Sequence, residues 1–165
     1  MKWFWRLLLF LIVLAGGGWL WFIFHPSPQK IIRTHLHELA AQVSFERAES
    51  DLTRLGKVAG ITRFFVEEVE INLAFRGVTR SEQITGEMLQ AGLAEMRTVW
   101  PRGLQVEFLD INVTLSGQEF ATAELTMKTT VPGEKDFDVY EMKFALRKAK
   151  EQWLIHRVET VRTLK

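Results

Sequence analysis

Between residues 28 and 43 the apolar positions Ile32, Leu36, Leu39 and Val43 fall at offsets 0, 4, 7 and 11. That is one stripe of a helix. Arg33, Glu38 and Gln42 fall on its other faces. Ser27 stands where a cap belongs and Pro28 at the first helical position. A second helix is predicted after Ser50, with Leu52, Leu55, Val58, Ala59, Ile61 and Phe65 as its apolar set. Gly56 and Gly60, four apart, would let another element approach one face. Val69 to Phe75 alternates and predicts a strand ended by Gly77. Thr79 and Glu82 have the spacing of a capping box, which predicts a third helix from there to about Val99, stopped by Pro101-Arg102-Gly103.

The rest of the chain has period two. Strands are predicted at Leu104–Leu115, Phe120–Val131, Phe137–Arg147 and Trp153–Val161, with turn centres about every 16 residues. The first and third change phase partway. Leu104, Val106 and Phe108 give way to Leu109, Ile111, Val113 and Leu115. Phe137 and Val139 give way to Tyr140, Met142, Phe144 and Leu146. A slip of one residue predicts a β-bulge in each, and bulges bend a sheet. The second strand keeps one parity, with Ala121 to Val131 buried and Thr122 to Thr130 wet. The order predicts an α+β domain, three helices on a curved antiparallel sheet.

Residues 1–24 are of another material. They hold 19 of the 78 apolar residues and 4 of the 6 tryptophans. Leu7 to Phe24 carries no charge. As a helix, Trp3 to Phe24 would reach about 33 Å, against a bilayer core of roughly 30 Å. Trp3 and Trp5 at one end, and Trp19 and Trp21 near the other, read as two aromatic belts. Cleavage of a signal peptide at Ala15-Gly16-Gly17-Gly18 is the rival reading, but it would leave an exposed aromatic terminus at Trp19–Phe24. The organisation expected is an anchor at 1–24, a linker at 25–29 and one domain at 30–165. Lys2 and Arg6 before the span, nearly balanced by Lys30 and Arg33 after it, favour a cytoplasmic N-terminus. The domain would then stand on the periplasmic side of a bacterial inner membrane.

The 21 basic residues nearly balance the 20 acidic ones, and there is no cysteine. The cysteine count excludes disulfides, thiolate metal sites and a thiol nucleophile. The charge balance gives no reason to expect nucleic acid. Both basic residues of the anchor are unmatched by acids, so the domain itself carries a formal charge of −1.

Phe64-Phe65-Val66-Glu67-Glu68-Val69-Glu70-Ile71 at the helix-to-strand junction, and the closing Phe144 to Lys148 followed by Glu151-Gln152-Trp153-Leu154-Ile155, carry a family resemblance. Over roughly residues 30–163 the chain resembles the nuclear transport factor two-like superfamily, the cone-shaped or SnoaL-like domains. The resemblance implies a helix-lined cone. It leaves activity open, because members include isomerases, dehydratases, cyclases and non-catalytic binding or dimerisation modules. Some members are membrane-tethered subunits of secretion assemblies, and this layout is similar to theirs.

The same resemblance implies where a base would stand. Ketosteroid-isomerase-like members place a carboxylate on the first long strand, and the counterpart here is Asn72, or Leu73 if the register slips. Neither is a general base. Glu68 and Glu70 share parity with Asn72 and are expected to be solvated. Asp110, Tyr140 and His156 are the remaining catalytic candidates, an acid, a phenol and an imidazole. The plainer reading is an edge aspartate, a core tyrosine and a hydrogen-bonded histidine. Metal binding is not expected from His25, His35, His37 and His156, since His35 and His37 lie about 200° apart on a helix. No cofactor is expected.

The sequence therefore leans away from an enzyme. It predicts a membrane-anchored binding or assembly module, with a small-molecule isomerase or lyase as the alternative. The expected partners are the bilayer through residues 3–24, a second copy or a membrane assembly, and a small apolar ligand in a cavity lined by Met88, Met96, Met127, Met142 and several Phe.

Overall fold

The computed structural model describes residues 27–75 and 78–161. The expected anchor and the first two linker residues, His25 and Pro26, lie outside the described residues. Among the described residues, no helix is long and apolar enough to cross a membrane.

Helix α1 spans Pro28–Val43 and buries Ile32, Leu36 and Leu39 of the predicted stripe together with Ala40, while Val43, the last stripe position, is half-buried. The backbone N–H of Lys30 donates to Ser27 Oγ at 3.4 Å, as its capping position requires. At the other end Ser44 ties the helix to the sheet. Its hydroxyl donates to Ala40 O at 2.8 Å, and the N–H of Val106 donates to that hydroxyl at 2.9 Å. A two-residue strand β1 (Phe45–Glu46) follows, too short to show a period.

Helix α2 (Asp51–Gly60) is capped by Ser50, which accepts from the N–H of Thr53. Its predicted apolar set is corrected here. Leu52 and Leu55 are 82% and 64% exposed, and no residue of α2 is buried. The helix docks through its C-terminal end instead. Gln42 donates to Lys57 O at 2.7 Å, and a Cβ on Gly60 would stand 2.5 Å from the same amide. Gly56 has nothing within 4 Å, so only one of the two glycines serves close approach. A 3₁₀ turn (Ile61–Phe64) then buries Ile61 and Phe64, and Phe65 already belongs to the next strand.

The largest correction is at 78–85. Strand β2 (Phe65–Phe75) turns back into β3 (Val78–Thr85), which pairs with it from Phe75↔Val78 to Glu68↔Thr85. Thr79 and Glu82 therefore lie in a strand, and no helix begins there. The true cap is Thr85, whose hydroxyl accepts from the N–H of Met88 ahead of helix α3 (Gly86–Val99). Capping-box spacing is compatible with either element, and the backbone partners available on β2 decide for the strand.

Strands β4 (Gly103–Ser116), β5 (Phe120–Thr130), β6 (Phe137–Ala149) and β7 (Gln152–Thr160) form the predicted meander. The sheet order is β1-β4-β5-β6-β7-β2-β3. The sheet is mixed rather than purely antiparallel as the sequence predicts, because β2 runs parallel to β7. The β4 bulge is present between Leu109 and Asn112, with Asp110 at φ 51°. The second bulge is not on β6. Its register against β5 is unbroken from Phe137 to Arg147. The slip lies on β7, where His156 is the extra residue between Ile155↔Leu146 and Arg157↔Ala145. Phe137 and Val139 are 59% and 49% exposed rather than core residues, and the Lys128 ammonium lies 5.4 Å from the Phe137 ring.

The core lies between α1 and the sheet. Ile32, Leu36, Phe64, Val69, Leu146 and Ile155 are its fully buried large side chains. One ion-pair cluster braces the helices. Glu49 pairs with Lys57 of α2 at 2.6 Å and Arg97 of α3 at 2.7 Å. Burial raises the Glu49 carboxyl, but the hydrogen bonds and charges of Lys57 and Arg97 outweigh it and hold the pKa below the ordinary 4.5.

These contacts can be tested one at a time. Gly103 sits at φ 100°, and a Cβ there would meet Phe45 O at 2.7 Å. Gly103→Ala should destabilise the domain by about 1–3 kcal/mol in a denaturant titration, and an unchanged midpoint would contradict the close approach. Glu49 ionises more readily folded than unfolded, so its contribution is present at neutral pH and lost as pH falls through the carboxylate range. Glu49→Gln should lower the thermal midpoint at pH 7, with the gap from the parent narrowing below about pH 4.5.

Candidate functional site

A cavity of about 670 Å³ opens between the helices and the sheet. Leu39 and Val43 of α1, and Leu89 and Met96 of α3, form its helical wall. Phe65, Ile71 and Leu73 of β2 form one side, and Val106, Phe108, Met127, Met142 and Phe144 the floor. These are the inward-facing positions of each strand, so the period-two pattern itself builds the apolar surface. Met96, Met127 and Met142 line it as expected. Met88 does not, and is half exposed.

The polar groups of the lining are few. Thr129 and Tyr140 stand on the sheet, and Glu134, Asp136 and Asp138 on and beside the β5–β6 turn. Among the described residues, the lining includes no Lys, Arg or His. Glu134 faces Arg102 at 3.6 Å. Asp138 is exposed and Tyr140 half-buried, two apart on one face of β6. Such a cavity can hold an apolar molecule away from water, with acids and one phenol as its polar contacts.

The three catalytic candidates from the sequence do not meet. Tyr140 lines the cavity. His156 lines a separate hollow on the opposite face of the sheet. Asp110 is exposed at the β4 bulge and lines neither. Leu73 faces the cavity, whereas Asn72 faces outward and donates to Glu70 Oε1 at 2.8 Å. Sequence reasoning misses Asp138 because Phe137 and Val139 look like an inward phase. Its parity with Tyr140, Met142, Phe144 and Leu146 is the signal that could have found it.

The outer hollow, about 360 Å³, is lined by Val66, Glu68 and Glu70 of β2, Gln83 of β3, Phe120 of β5, Arg147 of β6 and His156 of β7. Glu70 pairs with Arg157 at 2.7 Å. The hydrogen bond from Asn72, then that from Arg157, holds its carboxyl below the usual value. Partial burial, then the nearby Arg157 and Arg147 charges, push the His156 imidazole down, so it is neutral at pH 7. His35 of α1 packs on Phe64 at 4.7 Å, and burial lowers its pKa too. His37 is exposed, and no metal-binding group of three His, Asp or Glu occurs among the described residues.

No protein-family model matches the chain, and no curated protein matches it. Solved structures do. A nuclear transport factor two-like protein of unknown function from Pseudomonas putida superposes with a TM-score of 0.62 at 12% identity, covering 83% of this chain and 87% of the other. Aln2 from a Streptomyces species gives 0.61 at 13% identity, covering 83% and 93%. A proposed scytalone dehydratase from Novosphingobium aromaticivorans gives 0.57 at 14% identity, covering 82% and 83%. The domain therefore has the cone-shaped, nuclear transport factor two-like fold, also described as cystatin-like in such structures.

Proposed function

We propose that this chain is a non-catalytic binding module, anchored by residues 1–24 on the outer side of a bacterial inner membrane, whose cone cavity takes a small apolar molecule. The observation that carries the reading is the lining of the cavity. Its volume lies within the range of small-molecule sites, roughly 300–1,000 Å³. Its walls are aliphatic, methionine and aromatic. Of the two positions where the resemblance would put a carboxylate base, Asn72 is turned toward Glu70 and Leu73, its alternative in a slipped register, faces the cavity. Of the binding and assembly roles, a cavity of this size favours binding. The anchor reading rests on the apolar run before the domain.

The test is native mass spectrometry of the full chain extracted from membranes. It should carry about one equivalent of a small molecule distinct from detergent, and Met127→Trp, which fills the floor, should release it. An empty parent protein would defeat the cavity reading. The anchor is checked separately. The chain should stay in the membrane pellet after alkaline carbonate washing, and a soluble product starting near Trp19 would defeat it.

One observation favours the alternative, an isomerase or lyase. Asp138 and Tyr140 line the same cavity, and a carboxylate with a phenol is the minimum for acid–base chemistry. In that case Asp138→Asn and Tyr140→Phe would each leave ligand retention intact and slow conversion of the retained molecule by about 10²-fold or more. Under the binding reading the parent protein returns that molecule chemically unchanged.

A further inference from the structure

The strand order β5-β6-β7-β2-β3 sets Phe120, Arg147, His156, Glu68 and Gln83 on successive strands across the outer hollow. Phe120 and Arg147 are direct cross-strand partners. His156 is the bulged residue of β7, and the bulge lets its ring take a place among outer-face residues. None of these groups belongs to the cone cavity, which opens on the other side of the sheet.

The charges of this hollow are unequally committed. Glu70 is held by Arg157 and Asn72. The side chains of Arg147 and Glu68 have no ion pair or hydrogen bond among the described residues. They stand on β6 and β2, on either side of β7. Two strand spacings put their backbones at least roughly 9.6 Å apart. One free cation and one free anion thus flank a neutral imidazole, and Phe120, 52% exposed, stands on the cation's side. A lone anion would meet Glu68 and Glu70, and a lone cation would meet Arg147 and Arg157. The complement to this balanced arrangement is a ligand with both charges.

We propose that this hollow is a second binding site, for a small zwitterion whose carboxylate meets Arg147, whose ammonium meets Glu68, and whose apolar part lies against Phe120. The neutral His156 ring can donate to the carboxylate or accept from the ammonium without favouring either charge. The site uses residues distinct from the cavity and stands or falls independently of the function proposed above.

The test is calorimetric titration of the full chain in detergent with L-phenylalanine as probe. N-acetylphenylalanine, which lacks the cation, and phenylalaninamide, which lacks the anion, are the controls. Phenylalanine should bind, and each analogue should bind at least about tenfold more weakly, the loss of one charge-assisted contact. Arg147→Gln and Glu68→Gln should each cost a similar factor, with thermal midpoints unchanged because both side chains are exposed. Absence of phenylalanine binding up to about 10 mM, or equal binding by the three compounds, would overturn the proposal. So would binding that survives Arg147→Gln but is lost in Met127→Trp, which would assign the probe to the cone cavity.

Discussion

Ile32 and Leu36 of α1 are wholly buried, and so are Phe64 of the 3₁₀ turn and Leu146 and Ile155 of the sheet. They belong to one apolar cluster that joins the first helix to the strands. The sheet must curve to meet a helix this way, since flat strands would touch it along a narrow line. The curvature is placed by the bulges at Asp110 and His156 and by the parallel entry of β2 beside β7. Because the sheet bends away beyond the point of contact, the helices and strands separate there, and the cavity occupies the gap. Cone, cavity and core are consequences of one packing contact.

Polar groups then fix what hydrophobic contact leaves loose. Ser44 joins α1 to β4 by bridging Ala40 and Val106. Glu49 holds α2 and α3 through Lys57 and Arg97. Helix α2 needs this bracing because its own apolar residues make almost no core. Leu52 and Leu55 face outward, and the contact with α1 runs through Gln42, Lys57 and Gly60.

The two faces of the sheet differ in chemistry. The inner face is apolar with a few acids at the β5–β6 end, and favours a water-excluded guest. The outer face carries threonines and paired charges, with Arg147 and Glu68 left uncommitted around His156. A period of two along each strand produces most of this division without further design, since neighbouring residues face opposite sides except at a bulge such as His156.

Much of this was legible in the residues. The α1 stripe, the Ser27 and Ser50 starts, the β4–β7 meander, the β4 bulge and the inner face of β5 all rest on local periodicity or local capping, which short windows contain. The family resemblance at residues 64–71 and 144–155 added the cone. The failures have a common physical source. Val78–Thr85 satisfies both a capping box and a strand edge, and only the free hydrogen-bonding edge of β2 chooses between them. Phe137 and Val139 are apolar in either phase, and only the unbroken pairing with β5 keeps them out of the core and puts Tyr140, Met142 and Phe144 on the cavity face. The apolar residues of α2 look like a core stripe until Gln42 takes the helix by its end. Whether Asp110, Tyr140 and His156 converge could not be read from their spacing either. Sequence determined the elements, whose signals span a few residues. Tertiary structure decided the partners, the faces and the hollows, because those depend on backbone groups and side chains brought together from strands tens of residues apart.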